Sequence, residues 1–94
     1  MANYSAAGYM IQDIQGTAIY GVGATVDEAW QQVAALAGPF FDAYGELISD
    51  DQAYDTQFRA YGATADLIKE VQSCGGAIKW DVTQGIAHLP ENDD

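Results

Sequence analysis

Between Thr25 and Pro39 the sequence describes one amphipathic helix, and that helix constrains most of what the chain can fold into. Val26, Ala29, Trp30, Val33, Leu36 and Ala37 recur at i, i+3, i+4, i+7, i+10 and i+11. At 3.6 residues per turn they share one face, so the spacing predicts a helix over 26–37. Thr25-Val26-Asp27-Glu28 is a capping box. Its hydroxyl can accept from the backbone N–H three residues on, while Glu28 reaches back to the cap. Gly38 suits the position just past the helix end, and Pro39 blocks continuation. A helix with one apolar face must bury it, and 94 residues leave room for one modest core.

The flanking segments suggest what that face packs on. Residues 9–12 and 17–22 read as strands joined by Asp13-Ile14-Gln15-Gly16, a tight turn with Asp first and Gly fourth. Gln57-Phe58-Arg59-Ala60-Tyr61 alternates as a strand does. Thr64 caps a second helix whose Leu67, Ile68, Val71 and Cys74 lie on one face, ended by Gly75-Gly76. Residues 77–82 and 86–89 read as a closing pair of strands around the turn Thr83-Gln84-Gly85. Residues 39–57 are expected to form a long connection. In it Phe40, Phe41, Tyr44, Leu47 and Ile48 give a helical face broken by Gly45, and Ser49-Asp50-Asp51-Gln52 caps a short helix near 50–55. Gly23-Ala24-Thr25 and Gly62-Ala63-Thr64 each open a helix after a strand. This echo fits the few good solutions for a strand-to-helix turn as well as it fits duplication. The expected class is α+β: an antiparallel sheet of about five strands with the two main helices packed on one face. Residues 1–90 form the single expected domain, and residues 91–94 an acidic C-terminal tail.

Charge narrows the possible partners. The chain carries 14 Asp and Glu against 3 Lys and Arg, a formal net charge of −11. No Lys or Arg occurs before Arg59, so residues 1–55 carry −8 and the remainder −3. Such a surface repels nucleic acid and anionic lipid, both of which need basic patches, and attracts a basic protein surface. Hydrophobic residues make up 49%, enough for a core despite the charge. No apolar run approaches a membrane span, and Met1-Ala2-Asn3-Tyr4 lacks the basic and apolar regions of a signal peptide. The expected location is the cytoplasm.

Reaction chemistry finds little to stand on. Cys74 is the only cysteine and His88 the only histidine, which removes an internal disulfide and the usual Cys/His zinc site. Cys74 closes a helix on its apolar face and is expected to be a buried thiol. His88 is expected to be a half-exposed strand residue. Gly21-Val22-Gly23-Ala24-Thr25-Val26 has the strand-to-helix setting of a phosphate loop, but Val26 stands at the position of the third glycine and no Walker lysine follows. Asp50, Asp51 and Asp55 lack the spacing of an EF-hand. No enzyme activity, cofactor or metal is expected.

The acidic run from Asp42 to Asp55 is the leading candidate site. Asp42, Glu46 and Asp50 are four apart, as are Asp51 and Asp55. On a helix such residues sit about 5–6 Å from one another, close to phosphate spacing along a nucleic-acid strand. Tyr44 and Tyr54 are interleaved with the acids and would serve as anchors. The expected partner-binding residues are therefore Asp42, Glu46, Asp50, Asp51, Asp55, Tyr44 and Tyr54. An ordinary solvated acidic loop explains the same residues.

In make-up the chain resembles the small acidic single-domain proteins of phages and bacterial mobile elements, in particular anti-CRISPR proteins. The charge, the acidic run, the absence of catalytic motifs and the opening Gly23-Ala24-Thr25-Val26-Asp27-Glu28-Ala29-Trp30 carry that resemblance. It implies a non-enzymatic inhibitor, acting in a bacterial host cell, that docks on a basic surface of a nucleic-acid-handling complex. Two alternatives remain open: a homodimeric structural or regulatory module, and a small ligand-binding domain or enzyme built around His88.

Overall fold

The computed structural model describes residues 4–90; the acidic tail expected at 91–94 lies outside them. Strands β1 (Gly8–Asp13) and β2 (Ile19–Gly23) form the expected antiparallel hairpin. Its turn closes through a hydrogen bond from Gly16 N to the Asp13 carbonyl at 3.0 Å. The Asp13 carboxylate accepts from the Thr17 backbone N–H at 2.7 Å and from the Thr17 hydroxyl. Burial pushes the Asp13 carboxyl upward, but the Thr17 bonds, with those of Ala18 and Gly16, outweigh it and leave it below the usual carboxylate range.

Helix α1 (Val26–Ala37) follows, with the Thr25 hydroxyl accepting from Glu28 N at 3.1 Å. The short strands β3 (Phe40–Phe41) and β4 (Leu47–Ile48) pair with each other as a small separate ribbon. Helix α2 (Asp50–Gln57) is capped by Ser49, and it leads into β5 (Phe58–Ala63). Helix α3 (Ala65–Cys74), capped by Thr64, is followed by β6 (Asp81–Thr83) and β7 (Ile86–His88). The main sheet has the order β2-β1-β5-β7-β6. All neighbours are antiparallel except β5 and β7, which run parallel because α3 carries the chain back across the sheet. The fold is α+β with five strands in the main sheet.

Helix placement differs from expectation. Met10 and Ile11 are adjacent on β1 and therefore point to opposite faces, yet both are fully buried. Met10 packs with Val22, Ala63 and Leu67 of α3. Ile11 packs with Ala29 and Val33 of α1, Ala53 of α2, Phe40 and Phe58. The helices thus cover both faces, α1 and α2 on one and α3 on the other. The adjacent apolar pair Met10-Ile11, in place of strict alternation, was the sign of this in the sequence.

Three further segments depart from expectation. Phe40–Ile48 is a β-hairpin and not a broken helical face. Its strands alternate inward and outward, with Phe40 buried and Phe41 exposed. Residues 77–80 are not a strand, because the chain leaving α3 crosses under the start of β2, where Ile19 N donates to the Gly76 carbonyl at 3.0 Å. Cys74 is exposed, since α3 ends before that face is covered.

Glycine explains how α1 lies so close to β2. A Cβ on Gly21 would sit 3.0 Å from Val33 Cγ2 and closer still to the Ala29 carbonyl oxygen, while one on Gly23 would lie 2.6 Å from Glu28 Cβ. The helix also covers the outer edge of β2. Val22 N donates to Gln32 Oε1 at 3.1 Å, and Ala24 N donates to Glu28 Oε2 at 2.9 Å. Two side chains one helical turn apart thereby satisfy edge-strand groups that would otherwise recruit another strand.

Candidate functional site

The acidic segment 42–55 forms two structures in succession, a hairpin turn and a helix. Asp42 organises the turn: its Oδ1 accepts from Tyr44 N at 2.8 Å and Glu46 N at 2.9 Å. Backbone bonds from Asp42 N to the Glu46 carbonyl and from Gly45 N to the Asp42 carbonyl complete it, with Gly45 at φ 80. The turn lifts Tyr44 to the hairpin tip, where it is 91% exposed. Behind the tip, Phe41 and Leu47 are cross-strand partners on the outward face, 50% and 69% exposed. Their inward neighbours Phe40 and Ile48 pair beneath them, and Phe40 stacks on Trp30 with ring centroids 5.4 Å apart. Gln57 Nε2 donates to the Phe41 carbonyl at 2.7 Å and ties the hairpin to the end of α2.

The expected site residues therefore separate. Glu46 is exposed in the turn; Asp50, Asp51 and Asp55 are exposed on α2. Asp42, Glu46 and Asp50 do not form a helical stripe, because the first two belong to the hairpin turn. Asp51 and Asp55 do lie on one helix at i and i+4. Asp50 and Asp51 occupy the first turn of α2, where they complement the helix dipole. Tyr44 is exposed, whereas Tyr54 is half-buried, with its ring edge-on to Trp30 at 5.4 Å. Phe41 and Leu47 were missed as surface residues. Two short apolar pairs around a Gly-containing five-residue loop, Asp42-Ala43-Tyr44-Gly45-Glu46, were the available hairpin signal.

The other candidate residues have hydrogen-bond partners within the fold. His88 is 5% exposed, not half-exposed. Its Nδ1 lies 2.8 Å from the Leu89 carbonyl, which can only accept, so Nδ1 carries the proton. Nε2 lies 2.8 Å from the Thr83 hydroxyl. The ring also stacks on Tyr4 at 3.7 Å. At the phosphate-loop-like turn, the N–H groups of Ala24 and Glu28 are committed to Glu28 and Thr25 side chains. Among the described residues no group of three or more His, Cys, Asp or Glu is placed to hold a metal ion. No helix among them is long and apolar enough to cross a membrane.

Concavities border the fold among the described residues. One, about 880 Å³, runs along the β2 edge between α1 and α3, past the Gln32 and Glu28 caps. A second, about 400 Å³, lies beside Trp80 and Lys79. A third, about 310 Å³, opens between the N-terminal turns of α1 and α2. Compared with known proteins, the chain matches no family model, no curated protein and no solved structure.

Proposed function

We propose that this chain is a non-enzymatic protein-binding module whose β3–β4 hairpin and α2 dock on a basic protein surface. The supporting observation is the hairpin itself. Phe41, Tyr44 and Leu47 stand exposed on one short ribbon, among Glu46, Asp50, Asp51 and Asp55. Exposed aromatic and aliphatic side chains amid charge are the make-up of an interface, with the apolar groups giving lasting affinity and the charges steering encounter. The basic surface proposed is one that ordinarily holds nucleic acid in a host complex, as for an inhibitor of the anti-CRISPR type, in a bacterial cytoplasm. His88 is buried, with Nε2 beside the Thr83 hydroxyl across the β6–β7 pair and Nδ1 beside the carbonyl of the next residue, Leu89.

The test is capture of a partner from native host lysate, eluted by a salt gradient, with the parent chain and with Tyr44→Ala and Asp50→Lys/Asp51→Lys variants. Recovery of a nucleic-acid-binding complex that needs both Tyr44 and the acids supports the proposal. Capture indifferent to all three positions sinks it. A homodimer is the second possibility, because Phe41 and Leu47 could pair across a two-fold axis; sedimentation at two concentrations separates the two.

A further inference from the structure

The third concavity has a composition suited to one kind of guest. The half-buried Val26, Trp30 and Tyr54 line it, together with the exposed Asp27 and Asp51 at its mouth. The two rings meet at 86° with centroids 5.4 Å apart, a right-angled aromatic corner. Trp30 is held in place by Phe40, near-parallel at 5.4 Å, and by Phe58, edge-on at 5.5 Å. No Lys or Arg lines the space. At about 310 Å³ it is at the small end for ligand sites and large enough for one side chain.

The carboxylates at its mouth are uncommitted. Glu28, Asp13 and Asp42 spend theirs on capping and turn bonds. Asp27 and Asp51 accept no hydrogen bond and make no ion pair among the described residues. Each sits in a helix's first turn, where the dipole contributes roughly +0.5 charge, less than the full negative charge of each carboxylate, so the mouth stays negative. An aromatic corner with a net negative mouth selects an organic cation.

We propose that this pocket receives an arginine side chain of the partner, an assignment that rests on the function proposed above. Guanidinium is favoured over ammonium because it is planar, stacks on aromatic faces, is weakly hydrated and presents donors to more than one carboxylate at once. The pocket uses Asp51 and Tyr54, so it joins the acidic run to α1 in one surface.

The test is a titration of the ¹⁵N-labelled full chain with N-acetyl-arginine methylamide, its neutral isostere built on citrulline, and the lysine analogue. The expected result is a saturable shift of the Trp30 indole N–H and of the Asp27 and Asp51 amides. The Trp80 indole should stay unmoved and citrulline should have no effect. Lysine should bind at least about threefold more weakly, and Asp27→Asn/Asp51→Asn should weaken arginine binding at least about fivefold with the folded spectrum intact. Equal shifts with citrulline, equal affinity for lysine, or undiminished binding by the double variant would each overturn the assignment. Failure here with acid-dependent partner capture intact removes the pocket alone. Loss of that capture with arginine still bound removes the proposed function instead.

Discussion

Replacing Gly21 by alanine tests how α1 is mounted on the sheet, and the magnitude follows from the contact. The added methyl would sit 3.0 Å from Val33 Cγ2 and nearer still to the Ala29 carbonyl oxygen. The nearer atom is helix backbone, so no rotamer change relieves the clash; α1 must shift away from β2. That shift loosens the packing of Ala29 and Val33, both fully buried against Ile11. Overpacking of this kind costs about 1–3 kcal/mol, against a total of about 5–14 kcal/mol for a domain of 94 residues. At about 4–8 °C per kcal/mol the melting temperature should fall by roughly 4–24 °C. Calorimetry reads this directly, with Gly45→Ala as a control: a Cβ there meets nothing within 4 Å, and the only cost is its φ of 80. A Gly21→Ala chain that melts within a degree of the parent would refute the close mounting. It would also reopen the glycines for a ligand role.

Three other outcomes are expected. Asp13→Ala should lose about 1 kcal/mol at pH 7 through the two Thr17 bonds. Because the folded-state pKa is lowered, that contribution is complete above the unfolded value near pH 4 and disappears as pH falls through the folded one. Urea unfolding of both chains at pH 7 and about pH 2.5 should therefore show a gap that closes on acidification. Gln32→Ala uncaps Val22 N on the β2 edge, and sedimentation velocity should reveal more self-association than the parent shows. Raising NaCl from about 20 to 500 mM should increase the melting temperature by a few degrees, because it screens the self-repulsion of a chain at −11; an unchanged or lower value would count against that.

Local signals in the sequence carried a good part of the fold. The caps at Thr25, Ser49 and Thr64 all form, each hydroxyl accepting from the N–H three residues on. The α1 stripe ends at Ala37, and the Asp13–Gly16 turn closes. What escaped was non-local. Helix placement depends on which face of β1 each helix reaches, and periodicity within a helix carries nothing about that. The parallel β5–β7 pair depends on how α3 returns the chain, which the apparent run of hairpins concealed. Five site residues, Glu46, Tyr44, Asp50, Asp51 and Asp55, were legible as exposed positions. Asp42 was legible as an acid but not as the acceptor that shapes the turn. The Trp30–Tyr54 corner joins residues 24 apart in sequence on different helices and becomes visible only once the sheet brings α1 and α2 to one face.

The most direct test of the binding module is the salt dependence of partner capture by the parent chain, set beside Asp50→Lys/Asp51→Lys. If the hairpin and α2 form the docking surface, capture by the parent should fall steeply with salt. The variant should capture far less at low salt while keeping the parent's circular dichroism spectrum. Capture that ignores both salt and charge reversal would contradict the account and place the binding surface elsewhere on the fold.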